Sequence, residues 1–330
     1  MENKLQNFEN TLEKDHFTNQ QTETFILNDK LGFPKVIKRK EETIELSDLI
    51  NENREQYEDD LRKYGAILAR GFNIDTVEKF KNVTQGFQNE SLAYTLRSSP
   101  RYEITENVYV STTYPEDESI NMHSESSYAP SHPSKIIFCC IIPAHYRGET
   151  PIADNRLIVK NIREDILEKF KTTGVIYKRN LTGLLGMSWE EVFQTSDKKA
   201  VEEDCINNGM DFKWITDTHL ELSWKKKAIW EHPVTGELVW FNHAMFFNKY
   251  SFSEDLLDFI SSDDELPNNT YYGDGSEISK EEIENIKEAY QKAIVEFPWE
   301  KGDVLFLDNM LMSHGRNPYK GDRKIIVSIS

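Results

Sequence analysis

The chain has 330 residues, 38% of them hydrophobic and 12% aromatic, with 39 basic against 57 acidic side chains and a formal net charge of −18. That length and apolar content can bury a sizeable core, and that charge argues against non-specific binding to nucleic acid or anionic lipid. No run approaches the roughly 18 consecutive apolar residues of a membrane span, and the polar, acidic start MENKLQNFENTLEKDHF does not read as a signal peptide.

Residues 1–21 are expected to form a polar N-terminal arm, and 22–330 a single domain, because no repeat, low-complexity tract or Pro/Gly/Ser-rich linker divides the remainder. From about Ser47 the spacing predicts a helix with Ile50, Tyr57, Leu61 and Tyr64 on one face and Gly65 able to end it. AILARGF, from Ala66, reads as a strand. Asp75 with Glu78 resembles a capping box opening a helix that carries Val77, Phe80, Val83 and Phe87. The stretch IIFCCII within KIIFCCII (from Lys135) is apolar enough for a buried strand, and Cys139 and Cys140 read there as small buried hydrophobes. With Cys205 they form neither a C-x-x-C pair nor a disulfide framework, which points to a reduced, cytoplasmic protein.

Further along, Ser188 with Glu191 and Ser279 with Glu282 repeat the capping signature, the second opening a helix with Ile283, Ile286, Tyr290, Ile294 and Phe297 as its buried stripe. A hairpin is expected around Thr235-Gly236 in HPVTGELVWFN, and strands at DVLFL from Asp303 and at the closing KIIVSIS. Segments 93–122 and 261–279 are polar and rich in turn residues, as lids and binding loops are. Strand and helix do not alternate regularly, so the pattern suits a mainly β sandwich or barrel with flanking helices better than a parallel α/β sheet.

Two short patterns carry possible metal chemistry. In an extended segment residues two apart share a face, so His123 and Glu125 in NMHSESSYAP can offer a nitrogen and an oxygen to one ion. The alternative is coincidence: with eight histidines and 57 acids, chance predicts about 1.4 such pairs, and His219 with Glu221 in THLELSW is a second. Only the first has company. Downstream of it come KIIFCCII and GETPIADNR with Thr150, and near the C-terminus His314 follows a strand while Arg323 opens the last one. Two His and one carboxylate with open positions opposite is the arrangement of non-heme Fe(II) oxygenases.

Four stretches, MHSESSYAPSHPSKIIFCC, RGETPIADNR, LPNNTYYGDGS and FPWEKGDVLFLDNMLMSHGRNPYKGDRK, together resemble the TauD/TfdA (taurine dioxygenase) family of Fe(II)- and 2-oxoglutarate-dependent oxygenases. The resemblance is greatest to its natural-product members, such as the syringomycin-pathway hydroxylase and clavaminate synthase. It implies a double-stranded β-helix, a jelly roll of clavaminate synthase-like type. By position it implies His123, Glu125 and His314 as iron ligands, Arg323 on the far carboxylate of 2-oxoglutarate, and Thr150 assisting. A guanidinium fork suits that carboxylate. Glutamate stands where much of the family has aspartate, as in clavaminate synthase, and a carboxylate there argues against a halogenase.

The resemblance implies that Fe(II), 2-oxoglutarate and O2 together oxidise an unactivated C–H bond, releasing succinate and CO2. Hydroxylation is the expected outcome, with oxidative cyclisation or desaturation as alternatives and a non-catalytic jelly-roll sensor as the rival class. The substrate is expected to be an amino acid or related carboxylated metabolite, free or on a carrier protein, with neither nucleic acid nor membrane as partner. Arg101, Arg147, Arg156, Arg179 and Arg316 are candidate anchors for it, of which Arg156 and Arg316 lie within the shared motifs and read equally as braces. Asn242 in VWFNH is a candidate pocket residue; Tyr128, Trp240 and Phe241 read as core. STTYPEDESIN, before His123, is a candidate lid.

Overall fold

Long apolar runs are legible as strands only when both faces are covered, and the largest sheet shows why this sequence has so many. In the computed structural model, which describes residues 17–87, 103–105, 108–112, 114–253, 257–258 and 260–330, an eight-stranded sheet runs in the order Thr22–Asn28, Phe33–Arg39, Ala66–Arg70, Val304–Asp308, Lys135–Ile142, Lys324–Ile329, Val108–Val110, Glu103–Thr105. Its pairings are antiparallel except that of Phe33–Arg39 with Ala66–Arg70. Ile137 and Cys139 face one apolar cluster with Ile67, Ala69, Val304, Phe306 and the helices over residues 46–84. Ile136, Phe138 and Cys140 face another with Leu68, Leu305 and Leu307. The period of two is intact, but neither face meets water.

The second cluster is closed by a four-stranded antiparallel sheet, Ile294–Val295, Ile152–Asp154, Met312–Arg316, Ile120–His123. Ile152 and Met312 join Phe138 and Leu305 between the two sheets. The architecture is the jelly roll that the family resemblance implied, and it agrees with the sandwich or barrel read from the strand pattern. Between Ile152–Asp154 and Ile294–Val295 the chain makes an excursion with its own core. There a sheet ordered Asp211–Trp214, Leu220–Lys226, Val175–Leu181, Asn268–Tyr272 packs with helices that include Asn155–Asn161, Glu164–Thr173 and Lys280–Gln291.

Several expectations shift in detail. The helix read from Ser47 to Gly65 is two, Leu46–Glu52 and Arg54–Tyr64, parted at Asn53, whose side-chain amide donates to the Leu49 carbonyl at 2.8 Å. Such a local bond competes with helix continuation. Gly65 does end the second helix, at φ 71°. The cap before Val77 is Thr76, not Asp75; Thr76 accepts from the Lys79 amide, while Asp75 pairs with the Lys79 ammonium. Both later capping boxes are present, and the hairpin pairs Ile229–Glu231 with Leu238–Trp240. Segment 261–279 is not all loop, because Asn268–Tyr272 is a buried strand. Its polar residues hid it, yet they are satisfied inside: Thr270 Oγ1 donates to the Ala244 carbonyl at 2.6 Å. Phe17 falls within the stretch expected to be a polar arm, yet is fully buried.

Candidate active site

The strand Met312–Arg316 lies between Ile120–His123 and Ile152–Asp154, with His314 opposite both His123 and Ile152. This pairing sets the two imidazoles side by side, ring centroids 4.5 Å apart. Glu125 follows just past the end of its strand, and one ligand atom from each of His123, Glu125 and His314 can be chosen so that all lie within 4.8 Å of one another. No other such His/Cys/Asp/Glu group occurs among the described residues. Glu125 is 5% and His314 7% exposed.

Neighbours hold these donors in usable states. His123 Nδ1 lies 2.8 Å from the Asn121 carbonyl, which can only accept, so Nδ1 carries the proton and Nε2 is left with its lone pair for a metal. Asn309, fully buried, accepts from the Glu125 amide at 2.8 Å and donates to the carbonyls of Glu125 and Pro133, each at 2.9 Å. From the other side Trp224 Nε1 donates to the Tyr128 carbonyl at 2.8 Å, and Lys226 Nζ donates to the carbonyls of Ser127 and Ala129. The turn after Glu125, in which Ser126 adopts φ 54°, is thus fixed from both the jelly roll and the excursion. Two nitrogens and a carboxylate oxygen, from a half-buried His123 and from buried Glu125 and His314, suit a divalent transition metal with open positions.

The triad lies on the wall of a cavity of about 880 Å3. Thr150, Arg179, Arg316 and Arg323 line it too. Arg323 Nε donates to the Gly148 carbonyl at 2.9 Å, and one terminal nitrogen lies 3.4 Å from Thr150 Oγ1. Burial first, and then the nearby Arg316 cation, pull the Arg323 pKa down to about 10, so it remains charged at neutral pH. Thr150 Oγ1 also accepts from Trp299 Nε1 at 3.1 Å. With its acceptor capacity so used, the hydroxyl has its own hydrogen to offer an anion.

These residues lie in a chain whose residues 31–329 match the sequence profile described as "Taurine catabolism dioxygenase TauD, TfdA family". The chain belongs to the TauD/TfdA family. This TauD/TfdA protein is a dioxygenase dependent on Fe(II) and 2-oxoglutarate, with O2 as the oxidant. It is 38% identical over 273 residues to the dapdiamide synthesis protein DdaC of Enterobacter agglomerans, covering 82% of this chain and 83% of that one. It is 26% identical over 279 residues to a clavaminate synthase-like protein of Arabidopsis thaliana, covering 82% of each. Among solved structures, PvcB of Pseudomonas aeruginosa superposes with a TM-score of 0.57 at 12% identity, covering 94% of this chain and 92% of that one. AAD-2, solved with Mn(II) and N-oxalylglycine, superposes at 0.55 and 14%, covering 93% and 96%. Those two share the fold.

Of the residues singled out in the sequence, this TauD/TfdA dioxygenase brings His123, Glu125, His314, Thr150, Arg323, Arg179 and Arg316 to one cavity. Arg179 comes from the excursion sheet; it is 3% exposed, donates from Nε to Asn268 Oδ1 at 3.1 Å, and lies near the rings of Tyr128 and Phe247. Asn242 is not among the lining residues: its amide is used structurally, donating to the Ala228 carbonyl and accepting from the Ala244 amide. Arg101 lies outside the described residues. Arg156 is a brace, bound to Asp154, Glu237 and the carbonyls of Arg62 and Lys63. Arg147 is exposed on the strand Tyr146–Arg147. Tyr128, Trp240 and Phe241 are buried, as expected of core. His219 bonds Asn180 at 3.3 Å and Glu221 faces Lys178 at 3.6 Å, so the second H-x-E is two ordinary strand contacts.

Sequence reasoning missed His243, next to Asn242. Its ring lies 5.7 Å from that of His123, its Nδ1 shares a 2.6 Å hydrogen bond with Ser127 Oγ, and burial holds its pKa well below the usual value. It missed Asn309, Lys226 and Trp299 as well. Each acts across more than ninety residues of chain, and no local pattern signals that.

Proposed function

We propose that this protein hydroxylates an unactivated C–H bond of an amino acid or related carboxylated metabolite in a biosynthetic pathway, with His123, Glu125 and His314 holding Fe(II). The observation that carries this reading is the convergence of those three side chains on a cavity that also presents Arg323 and Thr150. Arg323 and Thr150 are assigned to 2-oxoglutarate: the guanidinium takes its far carboxylate and the Thr150 hydroxyl donates to it. When bound, Fe(II), 2-oxoglutarate and O2 supply the oxidising power, one oxygen atom entering succinate as CO2 leaves and the other becoming available to the substrate. Arg179 is assigned to the substrate, because it brings a buried positive charge to the cavity from the excursion sheet. The likeness to a protein named for dapdiamide synthesis supports a biosynthetic role and an amino-acid-derived substrate, free or carrier-tethered.

Residues 22–330 act as one catalytic domain in this reading. No helix among the described residues is long and apolar enough to cross a membrane, and the three cysteines are free and buried, which supports a place in the reducing cytoplasm. The test is the anaerobic visible spectrum of metal-free protein given Fe(II) and then 2-oxoglutarate. A weak charge-transfer band that needs both additions is expected, and Glu125→Ala is expected to lose it together with succinate formation. Folded protein that binds Fe(II) yet gives no band would overturn the assignment. Once a substrate is found, 18O from O2 is expected in the product; its absence would favour cyclisation or desaturation.

A further inference from the structure

Arg316 is one of the most deeply buried cations in the cavity wall, 3% exposed, and the cofactor assignment leaves it unused. It stands two residues after His314 on the same strand, hence on the same face. Among the described residues it has no ion pair. Its acceptors are instead three backbone carbonyls of one short segment: Tyr114 at 2.8 Å, Glu118 at 2.6 Å, and Pro115. The Tyr319 amide adds a bond to the Glu116 carbonyl at 2.8 Å, and the Arg316 guanidinium lies between 5 and 6 Å from the rings of Tyr319 and Tyr114. Residues 114–119 are themselves exposed, so apolar burial does not hold them in place. Yet Tyr114, Asp117 and Ser119 form part of the cavity wall, and the segment leads directly into the strand that ends at His123.

A guanidinium taken out of water with carbonyl dipoles and two aromatic rings but no carboxylate partner is an expensive way to brace a surface loop. That loop, however, lines the same cavity as His123 and runs into the strand that ends there. We propose that Arg316 is a positioning residue, a latch that holds residues 114–118 shut as a wall over the metal and thereby limits water access while 2-oxoglutarate is bound. The inference rests on the cofactor reading above. Gly315 fits the same design: a Cβ there would stand 2.7 Å from the Ile120 carbonyl, so the latch strand lies as close as backbone allows to the strand it guards.

The test uses full-length protein loaded with Mn(II) and 2-oxoglutarate, comparing wild type, Arg316→Met and Arg316→Lys. Two quantities are read: amide hydrogen exchange in residues 114–118, and the relaxation of solvent water protons by the bound Mn(II). Arg316→Met is expected to speed exchange there about tenfold or more, since the segment loses its charge-assisted bonds. It is also expected to raise water relaxation measured at saturating 2-oxoglutarate, so that any change in cosubstrate affinity from losing the charge beside Arg323 does not enter the reading. Arg316→Lys keeps the charge but cannot span three carbonyls, and is expected to fall between. With Fe(II), substrate-free conversion of 2-oxoglutarate to succinate should rise in the same order. Faster exchange with unchanged water relaxation and unchanged substrate-free succinate formation would reduce Arg316 to a bracket and overturn the latch. Failure of Mn(II) and 2-oxoglutarate to bind even to wild type would instead overturn the cofactor reading beneath it.

Discussion

Arg323 and Arg316 lie close enough for each charge to be felt by the other, and among the described residues neither forms an ion pair. An uncompensated pair of buried guanidiniums is unfavourable until an anion arrives, so an anionic cosubstrate should bind tightly and stabilise the fold. Arg323→Met removes the fork while keeping most of the side-chain volume. With each charge-assisted hydrogen bond contributing about 1.5–3 kcal/mol, the 2-oxoglutarate concentration giving half the charge-transfer band should rise roughly 10- to 100-fold. The stabilisation of wild type by 2-oxoglutarate in a thermal melt should shrink to match. An unchanged midpoint would remove Arg323 from the cosubstrate site. Its place in the cavity beside Thr150 was legible in the sequence because Arg323 lies at a fixed place after His314 in a recognisable stretch. Asn309 was not: its role is to join Glu125 to Pro133 from 184 and 176 residues away, and an asparagine after a strand reads equally well as a turn.

Elements were legible where burial on both faces left a continuous apolar run, as in Lys135–Ile142, and where a capping box marked a helix start, as at Ser279. They were lost where polar side chains are satisfied inside, as in Asn268–Tyr272, because hydropathy cannot tell a bonded asparagine from a solvated one. The joint between one helix and the latch strand offers a quantitative check. Gly65 ends Arg54–Tyr64 at φ 71°, and a Cβ there would lie 2.5 Å from Met312 Sδ, at the start of the strand that carries His314. Gly209 has nearly the same φ, 65°, with nothing within 4 Å of a Cβ. Alanine at either position meets the left-handed penalty of about 1–2 kcal/mol. Gly65→Ala should lose more in urea unfolding than Gly209→Ala and should also weaken Fe(II) binding, since the displaced methionine precedes His314 by two residues. Equal losses, with Fe(II) affinity untouched, would mean that Met312 yields freely and the joint does not position the site.

On the scale of the molecule, the proposed metal site lies where the jelly roll meets the excursion, and Lys226 is the clasp between them. It donates to the carbonyls of Ser127 and Ala129 just beyond Glu125, beside Trp224, which donates to the carbonyl between them. Burial lowers its pKa from 10.5 to about 8. A base whose folded pKa is depressed binds fewer protons in the folded state between those two values than in the unfolded state. Stability from this group therefore rises with pH across the window from about 8 to 10.5, and below 8 the buried charge is borne in full. The shift corresponds to about 3 kcal/mol in order of magnitude. Lys226→Met removes both the buried charge and its hydrogen bonds. At pH 7 these effects oppose, and the variant should differ from wild type by about 1 kcal/mol or less. At pH 10 the charge penalty has largely gone from wild type, so the variant should fall behind by about 2–3 kcal/mol in urea unfolding. It should also bind Fe(II) more weakly at both pH values, because the turn after Glu125 loses its hold from the excursion. A stability difference that stayed constant from pH 7 to 10 would show that Lys226 does not titrate in that window, and Fe(II) affinity equal to wild type would show that the excursion does not hold the carboxylate in place.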